Sequence, residues 1–314
     1  MTRLAVIILN WNGAAMLRRY LPGVVEMTPG AEVWVADNAS TDESLKVLRD
    51  EFSNVRVLEL DCNYGFAEGY NRAIAAIEAE YVVLLNSDVR VTPGWTDALV
   101  AFLDSHPDVA AVQPKICAEL QPTHFEYAGA AGGYLDALGY PYCRGRVFDT
   151  VEEDCGQYDT VADVDWTTGA AMMVRRELYL KAGGLDAAFF AHMEEIDLCW
   201  RLRRMGWRLC CVPQSVVYHV GGGTLPQGNP RKTYLNFRNN LWMIRKNHPH
   251  PRLVLLARLP LDAAAALMFL LKGEWGNCRA VFRAVCDGLR SRVGRPADAP
   301  ASNRAGGVSR VKSI

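Results

Sequence analysis

The stretch Tyr81-Val82-Val83-Leu84-Leu85-Asn86-Ser87-Asp88 constrains the fold of this chain more than any other. Its first five residues are aromatic or aliphatic without a polar interruption, which is typical of a strand buried on both faces of a parallel sheet. The strand delivers Asn86 and Asp88 to its carboxyl end, the edge at which open α/β sheets bind ligands. We therefore expect a ligand site there, although Asp88 as a simple turn cap is an alternative from these residues alone.

Three similar strands precede this one, over residues 4–9, 32–36 and 55–60. Helical patterns follow them, one over residues 14–21 that Pro22 should end and one over residues 44–52 that Ser40 or Thr41 can cap. Strand–helix units repeated at intervals of roughly 30 residues predict a doubly wound, mostly parallel sheet. Neither a G-x-G-x-x-G motif nor a phosphate-binding loop with lysine follows the first strand, which excludes those two nucleotide-binding classes.

The second half of the chain supplies further candidates for this edge. Residues 115–163 are rich in Gly and Tyr, and we expect this long excursion to shape one wall of a pocket. A predicted strand over residues 164–175 contains Gly169, where backbone can approach a ligand closely. Strands predicted over residues 207–212 and 215–219 end in His219, which we interpret as a metal or phosphate contact more than as a structural histidine.

Three carboxylates, Glu194, Glu195 and Asp197, lie at the predicted start of a helix. The helix dipole stabilises negative charge there, so a plain helix-start cluster is one explanation. The other follows from Phe189 and Phe190, which precede the cluster and indicate a partly desolvated cleft. Burial raises a carboxyl pKa towards the range of a general base.

The net charge of −1 conceals an uneven distribution. Residues 1–230 contain 18 basic and 31 acidic side chains, and residues 231–314 contain 16 basic and 4 acidic ones. A basic tail on an acidic body predicts an anionic partner. We expect no nucleic acid, because aromatic residues are not interleaved with the cations.

The tail favours a membrane surface. Over residues 249–295 we predict a helical appendage in which Arg258, Pro260 and Asp262 interrupt the apolar pattern. The remaining run over residues 263–271 is far below the roughly 20 residues of a membrane span. Membrane-interfacial helices fit this pattern, and an appendage packed on the main domain is the alternative. We expect residues 296–314 to be a disordered tail.

The nine cysteines and the amino terminus bear on localisation. The cysteines form no C-x-x-C pair, and we interpret them as reduced residues of a cytosolic protein. The first apolar segment is too short for a signal peptide. The expected localisation is cytoplasmic, at the inner face of the cell membrane.

Taken in order, these motifs resemble glycosyltransferase family 2, and in particular its rhamnosyltransferase-like branch. The resemblance covers residues 4–245 and implies a single GT-A type nucleotide-sugar-binding domain over residues 1–248. It rests on Asn10-Trp11-Asn12, Asp37-Asn38-Ala39-Ser40-Thr41-Asp42, Asn63-x-Gly65-Phe66-Ala67-x-x-x-Asn71, Leu85-Asn86-Ser87-Asp88, Gly169-Ala170, Glu194-Glu195-x-Asp197-Leu198 and His219.

The resemblance implies an inverting transfer of a sugar from a nucleoside diphosphate sugar to a hydroxyl of a lipid-linked or saccharide acceptor. Asp88 and His219 would hold Mg²⁺ or Mn²⁺. The base would be Glu195, Glu194 or Asp197, with Glu195 favoured; the family commonly has Glu-Asp where this chain has Glu194-Glu195. The nucleotide sugar would be bound by Asn10, Asp37, Asp42, Asn71, Arg72, Asn86 and Gly169.

Two other functions are compatible with parts of the pattern. A sugar-nucleotide pyrophosphorylase also places metal-binding carboxylates on an α/β sheet, but it should have a Gly-rich basic loop after the first strand, and residues 10–13 contain no cation. A catalytically inactive nucleotide-sugar-binding module is the other alternative, which the Glu194-Glu195 pair supports.

Overall fold

A computed structural model describes residues 2–147, 150–221 and 228–290 of the chain. Within these residues the dominant feature is a nine-stranded sheet in the order β11-β13-β6-β12-β4-β1-β2-β3, with β5 paired to β13. The strands of this sheet are β1 (Thr2–Asn10), β2 (Glu32–Asp37), β3 (Arg56–Glu59), β4 (Ala79–Leu85), β5 (Val89–Val91), β6 (Val109–Ala118), β11 (Ala162–Asp163), β12 (Ala171–Arg175) and β13 (Arg208–His219).

Two further ladders and the helices complete the architecture. The ladders lie in the excursion between β6 and β11 and consist of β7 (Gly133–Leu135), β8 (Pro141–Cys143), β9 (Arg146–Val147) and β10 (Thr150–Val151). The helices are α1 (Ala14–Glu26), α2 (Ser44–Glu51), α3 (Gly65–Ala76), α4 (Trp95–Ser105), α5 (Arg176–Lys181), α6 (Glu194–Arg204), α7 (Pro230–Asn247), α8 (Pro251–Leu271) and α9 (Trp275–Arg290).

The predicted mostly parallel sheet is confirmed, with one reversal at its centre. Strands β3, β2, β1 and β4 are parallel to one another, and β6 and β13 are parallel to each other. Strand β12 runs antiparallel to both β4 and β6. The amino end of β12 therefore meets the carboxyl ends of β1, β2 and β4 at one rim of the sheet.

Both faces of the sheet are covered, as the apolar composition of β4 predicts. Val82 and Leu84 belong to a core cluster shared with α3, α5 and α6. Tyr81, Val83 and Leu85 belong to a second cluster shared with α1, α2 and α4. This alternation follows from the two-residue period of a strand, and it leaves the polar residues after Leu85 at the rim.

Several predicted boundaries are wrong, each for a local reason. Helix α1 continues past Pro22, because burial of Leu21 and Val24 supports its last turn. Helix α2 receives no cap from Ser40 or Thr41; instead the Asp42 carboxylate accepts a hydrogen bond of 2.9 Å from the Ser44 backbone N–H.

Two strand predictions also change. Only Ala171–Arg175 of the strand predicted over residues 164–175 pairs in the sheet. The two strands predicted over residues 207–219 form the single strand β13, whose register shifts between Val212 and Val216.

The carboxyl-terminal part is helical, as predicted, and helices α7, α8 and α9 pack on one another. Helix α8 continues through Pro260 as one helix of 21 residues. Arg258 and Asp262, which interrupt its apolar pattern, are buried against neighbouring elements. The predicted disordered tail over residues 296–314 lies outside the described residues.

Candidate active site

The ends of β1 and β2 form the first part of the rim. Asn10 and Asp37 are register partners and are each 1% exposed. The Asn10 Nδ2 atom donates to Asp37 Oδ2 at 3.0 Å, and Asp37 Oδ1 accepts from the Ser40 backbone N–H at 2.8 Å. Asn10 Oδ1 is buried and has no hydrogen-bond partner within the described residues. An unsatisfied buried acceptor costs about 1–3 kcal/mol, so this atom is suited to receive a hydrogen bond from a ligand.

An exposed aromatic ring and a glycine turn flank this corner. Trp11 follows Asn10 and is 57% exposed. The Asn38 side chain accepts from the Tyr64 backbone N–H at 2.9 Å and donates to the Gly65 carbonyl at 3.1 Å. Gly65 has φ +73°, a left-handed conformation that favours glycine. Asn38 thereby fixes the start of α3 above the rim, where the Tyr70 hydroxyl donates to the Leu85 carbonyl at 2.9 Å.

Asp88 and His219 converge at the second part of the rim. The His219 Nε2 atom lies 3.1 Å from Asp88 Oδ1 and 3.3 Å from Asn86 Nδ2. Its Nδ1 atom lies 3.5 Å from Oε1 of the buried Glu126. Although burial opposes it, hydrogen bonding to Asp88 and Glu126 raises the pKa of His219 to about 10. Burial would raise the pKa of Asp88, but the hydrogen bond and charge of His219 lower it.

This pair fits a divalent cation that takes its other ligands from a substrate. Within the described ranges no three His, Cys, Asp or Glu side chains are arranged to hold a metal by themselves. Asp88 and His219 supply a carboxylate and an imidazole, and these are donors that Mg²⁺ or Mn²⁺ accepts. Glu126 lies behind the imidazole, which is the usual place for a carboxylate that orients a metal-binding histidine. Diphosphate oxygens and water would complete the coordination.

The sequence analysis did not identify Glu126. It lies in the Gly- and Tyr-rich excursion, more than ninety positions from His219 in the chain, so no local pattern connects the two residues. The pairing arises because β6, which precedes Glu126, runs beside β13.

Glu194 and Glu195 approach the same rim from helix α6. The Asn86 backbone N–H donates to the Ala170 carbonyl at 2.9 Å, which joins the loop before β12 to the end of β4. In that loop a Cβ on Gly169 would lie 3.7 Å from the Glu195 Cβ. Asn86 thus binds the residue after Gly169, and Gly169 lies next to Glu195, so these three predicted site residues lie close together.

Desolvation favours the protonated form of both glutamates. Burial raises the pKa of Glu195 to about 7. Burial and then the charge of Glu195 raise the pKa of Glu194 well above its usual range. The Oε2 atom of each is buried and has no hydrogen-bond partner among the residues described. A carboxyl group with a pKa near neutrality and a vacant acceptor is suited to general-base catalysis.

The loop that carries this acidic pair has an unusual backbone. Phe190, His192 and Met193 have φ values of +69°, +69° and +76°, a region in which each non-glycine residue costs about 1–3 kcal/mol. The buried Asn239 amide donates to the carbonyls of Phe189, Ala191 and His192 at 3.0, 2.8 and 2.8 Å. Helix α7 thus holds the strained loop in place.

Asp197 has contacts that differ from those expected of a base. It is fully buried, and its Oδ2 atom lies 2.9 Å from both Arg201 Nε and Lys246 Nζ. Its Oδ1 atom accepts from Asn247 Nδ2 at 2.7 Å. With both oxygens bound by cations or an amide, Asp197 links α6 to α7 and is not oriented to accept a proton from a substrate.

Three predicted nucleotide contacts are also engaged elsewhere. Asn71 accepts hydrogen bonds from the Tyr179 hydroxyl and the Leu185 backbone N–H and donates to the Leu185 carbonyl. Asp42 binds the starts of α1 and α2 through the backbone N–H groups of Ala14 and Ser44. The exposed Arg72 pairs with Glu68 and lies over the Tyr64 ring at 3.7 Å. Asn71 and Asp42 hold elements together in this arrangement.

The excursion expected to form a pocket wall contains a cavity of about 290 Å³. None of the rim side chains described above lines it. Its walls are aromatic and charged, with Tyr134, Tyr142, Arg144, Glu152 and Tyr158 among them.

Comparison with known proteins agrees with this geometry. Residues 5–150 match the family model described as glycosyl transferase family 2. Over 231 residues the chain is 27% identical to an N-acetylglucosaminyl-diphospho-decaprenol L-rhamnosyltransferase of Mycobacterium tuberculosis, covering 69% of this chain and 75% of that protein. It is 26% identical to rhamnosyltransferase WbbL of Escherichia coli over 163 residues, covering 50% of this chain and 61% of WbbL.

Solved structures share the fold. A mannosyltransferase, PcManGT from Pyrobaculum calidifontis in complex with GDP-Man and Mn²⁺, aligns with a TM-score of 0.56 at 18% identity over 92% of this chain and 87% of its own. GalNAc-T7 with UDP, GalNAc and Mn²⁺ aligns with a TM-score of 0.62 at 18% identity, over 80% of this chain and 49% of its own. The fold is thus of the GT-A type, and residues 5–150 of the chain are similar to glycosyltransferase family 2.

Proposed function

We propose that this glycosyltransferase transfers a sugar from a nucleoside diphosphate sugar to a hydroxyl group of a lipid-linked saccharide, with inversion at the anomeric carbon. The observation that carries the proposal is the arrangement of three chemistries along one rim: the Asn10–Asp37 pair, the Asp88–His219 pair and the Glu194–Glu195 pair of α6. The relative from M. tuberculosis, an L-rhamnosyltransferase that acts on a decaprenol-linked substrate by its name, supports a deoxyhexose donor and a lipid-linked acceptor for this chain.

Asn10, Asp37 and Trp11 are placed to bind the nucleoside. The vacant Asn10 Oδ1 and the Asp37 carboxylate can accept hydrogen bonds from a base or ribose, and the exposed Trp11 ring offers a flat surface for a base. Asn86, at the adjacent strand end, can contact the sugar or diphosphate. We propose that Asn71 and Asp42 act indirectly, by positioning α1, α2 and α3, while Arg72 remains a predicted contact.

Asp88 and His219 are placed to hold Mg²⁺ or Mn²⁺, with Glu126 orienting the imidazole. A cation bound there would stabilise the negative charge that develops on a diphosphate leaving group. These two side chains would supply protein ligands for such a cation and so help to position a diphosphate relative to α6.

Glu195 is proposed as the general base. Inversion by a single displacement requires a base that takes the proton of the acceptor hydroxyl on the face of the sugar opposite the leaving group. Glu195 has a pKa of about 7, so it is deprotonated in a useful fraction of molecules at neutral pH. Burial and the charge of Glu195 raise the pKa of Glu194 well above its usual range, which favours the protonated form of this neighbour.

Residues 1–248 form the catalytic unit in this proposal, and residues 249–290 an appendage that brings it to the cytoplasmic face of the membrane. One helix among the described residues, α8, is long and apolar enough to cross a membrane by length and composition. Because a lipid-linked acceptor is anchored in the bilayer, an enzyme that uses it has to work at the bilayer surface.

The test is release of nucleoside diphosphate from nucleotide sugars by the purified protein with Mn²⁺, with and without a polyprenyl diphosphate saccharide. We expect slow hydrolysis of the correct donor and faster turnover when acceptor is added. Glu195→Gln should retain donor binding and lose transfer by about 10²–10⁴-fold. A requirement for pyrophosphate would identify a pyrophosphorylase, and donor binding without any turnover would identify an inactive binding module; either result overturns the proposal.

A further inference from the structure

Helix α8 presents apolar residues outward and charged residues inward. Its buried stripe is Val254, Arg258, Asp262 and Ala266. After Arg252, every exposed residue of the helix is apolar: Leu253, Leu256, Ala257, Leu259, Pro260, Leu261, Ala263, Ala264, Leu267, Met268 and Leu271. This is the reverse of a helix on the surface of a water-soluble domain, where the polar side faces solvent.

The inward stripe is fixed to the catalytic unit by polar contacts. Arg258 and Asp262 are each 1% exposed and lie 3.4 Å apart. Arg258 also donates to Asn240 Oδ1 on α7, and its guanidinium lies 3.6 Å from the centre of the Tyr140 ring. The Tyr140 hydroxyl donates to Asp262 Oδ1 at 2.9 Å. The orientation of α8 about its own axis is therefore determined by these contacts, and the apolar arc is held outward.

Helix α9 continues the pattern with a narrower apolar ridge. Trp275, Phe282 and Leu289 are spaced by seven residues, so they share one face, and they are 72%, 59% and 41% exposed. Arg279, Arg283 and Arg290 lie on the same helix and are exposed. A ridge of large apolar side chains flanked by arginines is typical of a helix that lies at a lipid–water interface.

We propose that α8 and α9 form a membrane-docking surface on which α8 lies in the plane of an anionic bilayer with its apolar arc inserted, without crossing it. This inference rests on the proposed function, because a lipid-linked acceptor is anchored in a membrane. It assigns the membrane contact to particular residues and thereby fixes the orientation of the catalytic unit relative to the bilayer.

The contacts of the inward stripe exclude a crossing helix. Arg258 and Asp262 lie near the middle of α8 and bind Tyr140 and the carbonyl of Leu138 in a loop of the excursion. A crossing helix would carry this loop into the hydrocarbon, where non-helical backbone cannot satisfy its hydrogen bonds. In-plane docking leaves the loop on the aqueous side and immerses only the apolar arc.

Charge favours a lipid surface over a second copy of this chain. The exposed cations around the arc are Arg252, Lys272, Arg279, Arg283 and Arg290, and the acidic residues outside the buried stripe are Glu274, in the turn between the two helices, and Asp287 on α9. A bilayer with anionic headgroups complements this excess. Two copies docked through the same face would bring their cations together.

The experiment is flotation of the full-length protein with vesicles of phosphatidylcholine alone or mixed with phosphatidylglycerol. We expect binding to the mixed vesicles that weakens with salt, and we expect the double variant Leu256→Glu/Leu267→Glu to bind about tenfold less or worse. Leu120→Glu is the matched control, because Leu120 is 79% exposed on the catalytic unit and its replacement should leave vesicle binding unchanged.

The depth of α8 in the bilayer distinguishes an in-plane helix from a crossing helix. Trp introduced by Leu261→Trp should be quenched most by lipids brominated near the headgroup, because an in-plane helix lies only about 5–10 Å deep. Strongest quenching by lipids brominated near the chain ends would show a crossing helix and overturn the proposal. Absence of vesicle binding, or a monomer–dimer equilibrium without vesicles that the double variant abolishes, would overturn it too.

The donor hydrolysis assay keeps this inference distinct from the proposed function. The Leu256→Glu/Leu267→Glu variant should hydrolyse the donor in solution at the wild-type rate, because neither residue lies at the rim. If the wild type shows donor turnover but does not bind vesicles, only the docking surface is wrong. If it binds vesicles but shows no donor turnover, the proposed function is wrong and the docking surface stands.

Discussion

The side-chain amide of Asn239 donates a hydrogen bond of 2.8 Å to the backbone carbonyl of His192, two residues before the acidic pair. The same amide also donates hydrogen bonds to the backbone carbonyls of Phe189 and Ala191 in this loop. The left-handed residues of the loop are thus stabilised by side chains of α7, those of Asn239 and of Arg238, which also donates to the Phe189 carbonyl at 3.0 Å, and the position of Glu195 depends on them.

Asn239→Ala should therefore impair turnover more than donor binding. Removing the amide leaves buried carbonyls unsatisfied, at a cost of about 1–3 kcal/mol in stability, and allows the loop to relax. We expect kcat to fall by more than about tenfold while the donor Kd stays within about twofold, since the nucleoside corner is untouched. Steady-state kinetics and calorimetric donor titration measure the two quantities.

Asn236→Ala on the same helix is the matched control and should preserve kcat. A uniform loss of active protein, with kcat and donor binding affected equally, would mean that Asn239 serves general stability and not the position of the loop.

The raised pKa of Glu195 predicts opposite effects of pH on rate and stability. The base must be deprotonated, so kcat should rise with pH through about 7. A carboxyl whose folded-state pKa lies above its usual 4.5 binds protons more strongly when folded, so its contribution to stability is present below that value and is lost as pH rises towards 7. Glu195→Gln should remove this part of both pH dependences.

Denaturant unfolding at pH 5 and pH 8, compared between wild type and Glu195→Gln, measures the stability effect. Glu194→Gln serves as the comparison for the rate, since Glu194 is not the proposed base and should tolerate the amide better. The assignment of the base is reversed if Glu194→Gln abolishes turnover and Glu195→Gln does not.

Glu126→Gln should weaken metal-dependent donor binding. The carboxylate lies 3.5 Å from His219 Nδ1, and replacing such an orienting group typically costs about 10–100-fold in metal affinity. Mn²⁺ titration of donor binding by calorimetry measures this without reference to turnover. Asp88→Asn should have the larger effect, because it removes a proposed ligand itself, whereas Glu51→Gln, in an exposed ion pair with Arg18, should have none. Equal Mn²⁺ affinity in wild type and Glu126→Gln would rule out the orienting role.

Arg258→Met should destabilise the protein more than the double substitution Arg258→Met/Asp262→Leu. The single change leaves Asp262 buried without its cation, at a cost of about 3–5 kcal/mol, whereas replacing both partners by apolar residues is often near neutral. Urea unfolding of the wild type, both single variants and the double variant gives the coupling energy. Additive effects would mean that the two residues do not depend on each other.

The parts of the fold that the sequence predicts best are those set by local chemistry. The buried strand β4 is recognisable because both of its faces pack against helices, which demands an uninterrupted apolar run. The sequence predicts that Asp37 and Asp88 share a rim, because parallel strands that end in short polar residues place them at the same edge.

The parts that sequence analysis missed depend on contacts between distant segments. The direction of β12 is invisible in its own residues, since an antiparallel central strand has the same composition as a parallel one. In the sequence Asp197 cannot be distinguished from its acidic neighbours. Its role as an ion-pair partner becomes visible only in the fold, where Lys246 of α7 contacts it. Arg258 and Asp262 were interpreted as interruptions because their partners, Tyr140 and Asn240, lie far away in the chain.

The reversal of β12 also has an evolutionary consequence. Asn10, Asp37 and Asp88, which are proposed to contact the donor, all precede that strand, whereas His219 and the proposed base follow it on β13 and α6. The match to the family model likewise ends at residue 150, before the reversal. An exchange of segments between relatives within residues 150–170 would therefore keep the nucleoside corner and replace the base together with one of the two proposed metal ligands, so the exchanged halves must still match each other at Asp88 and His219.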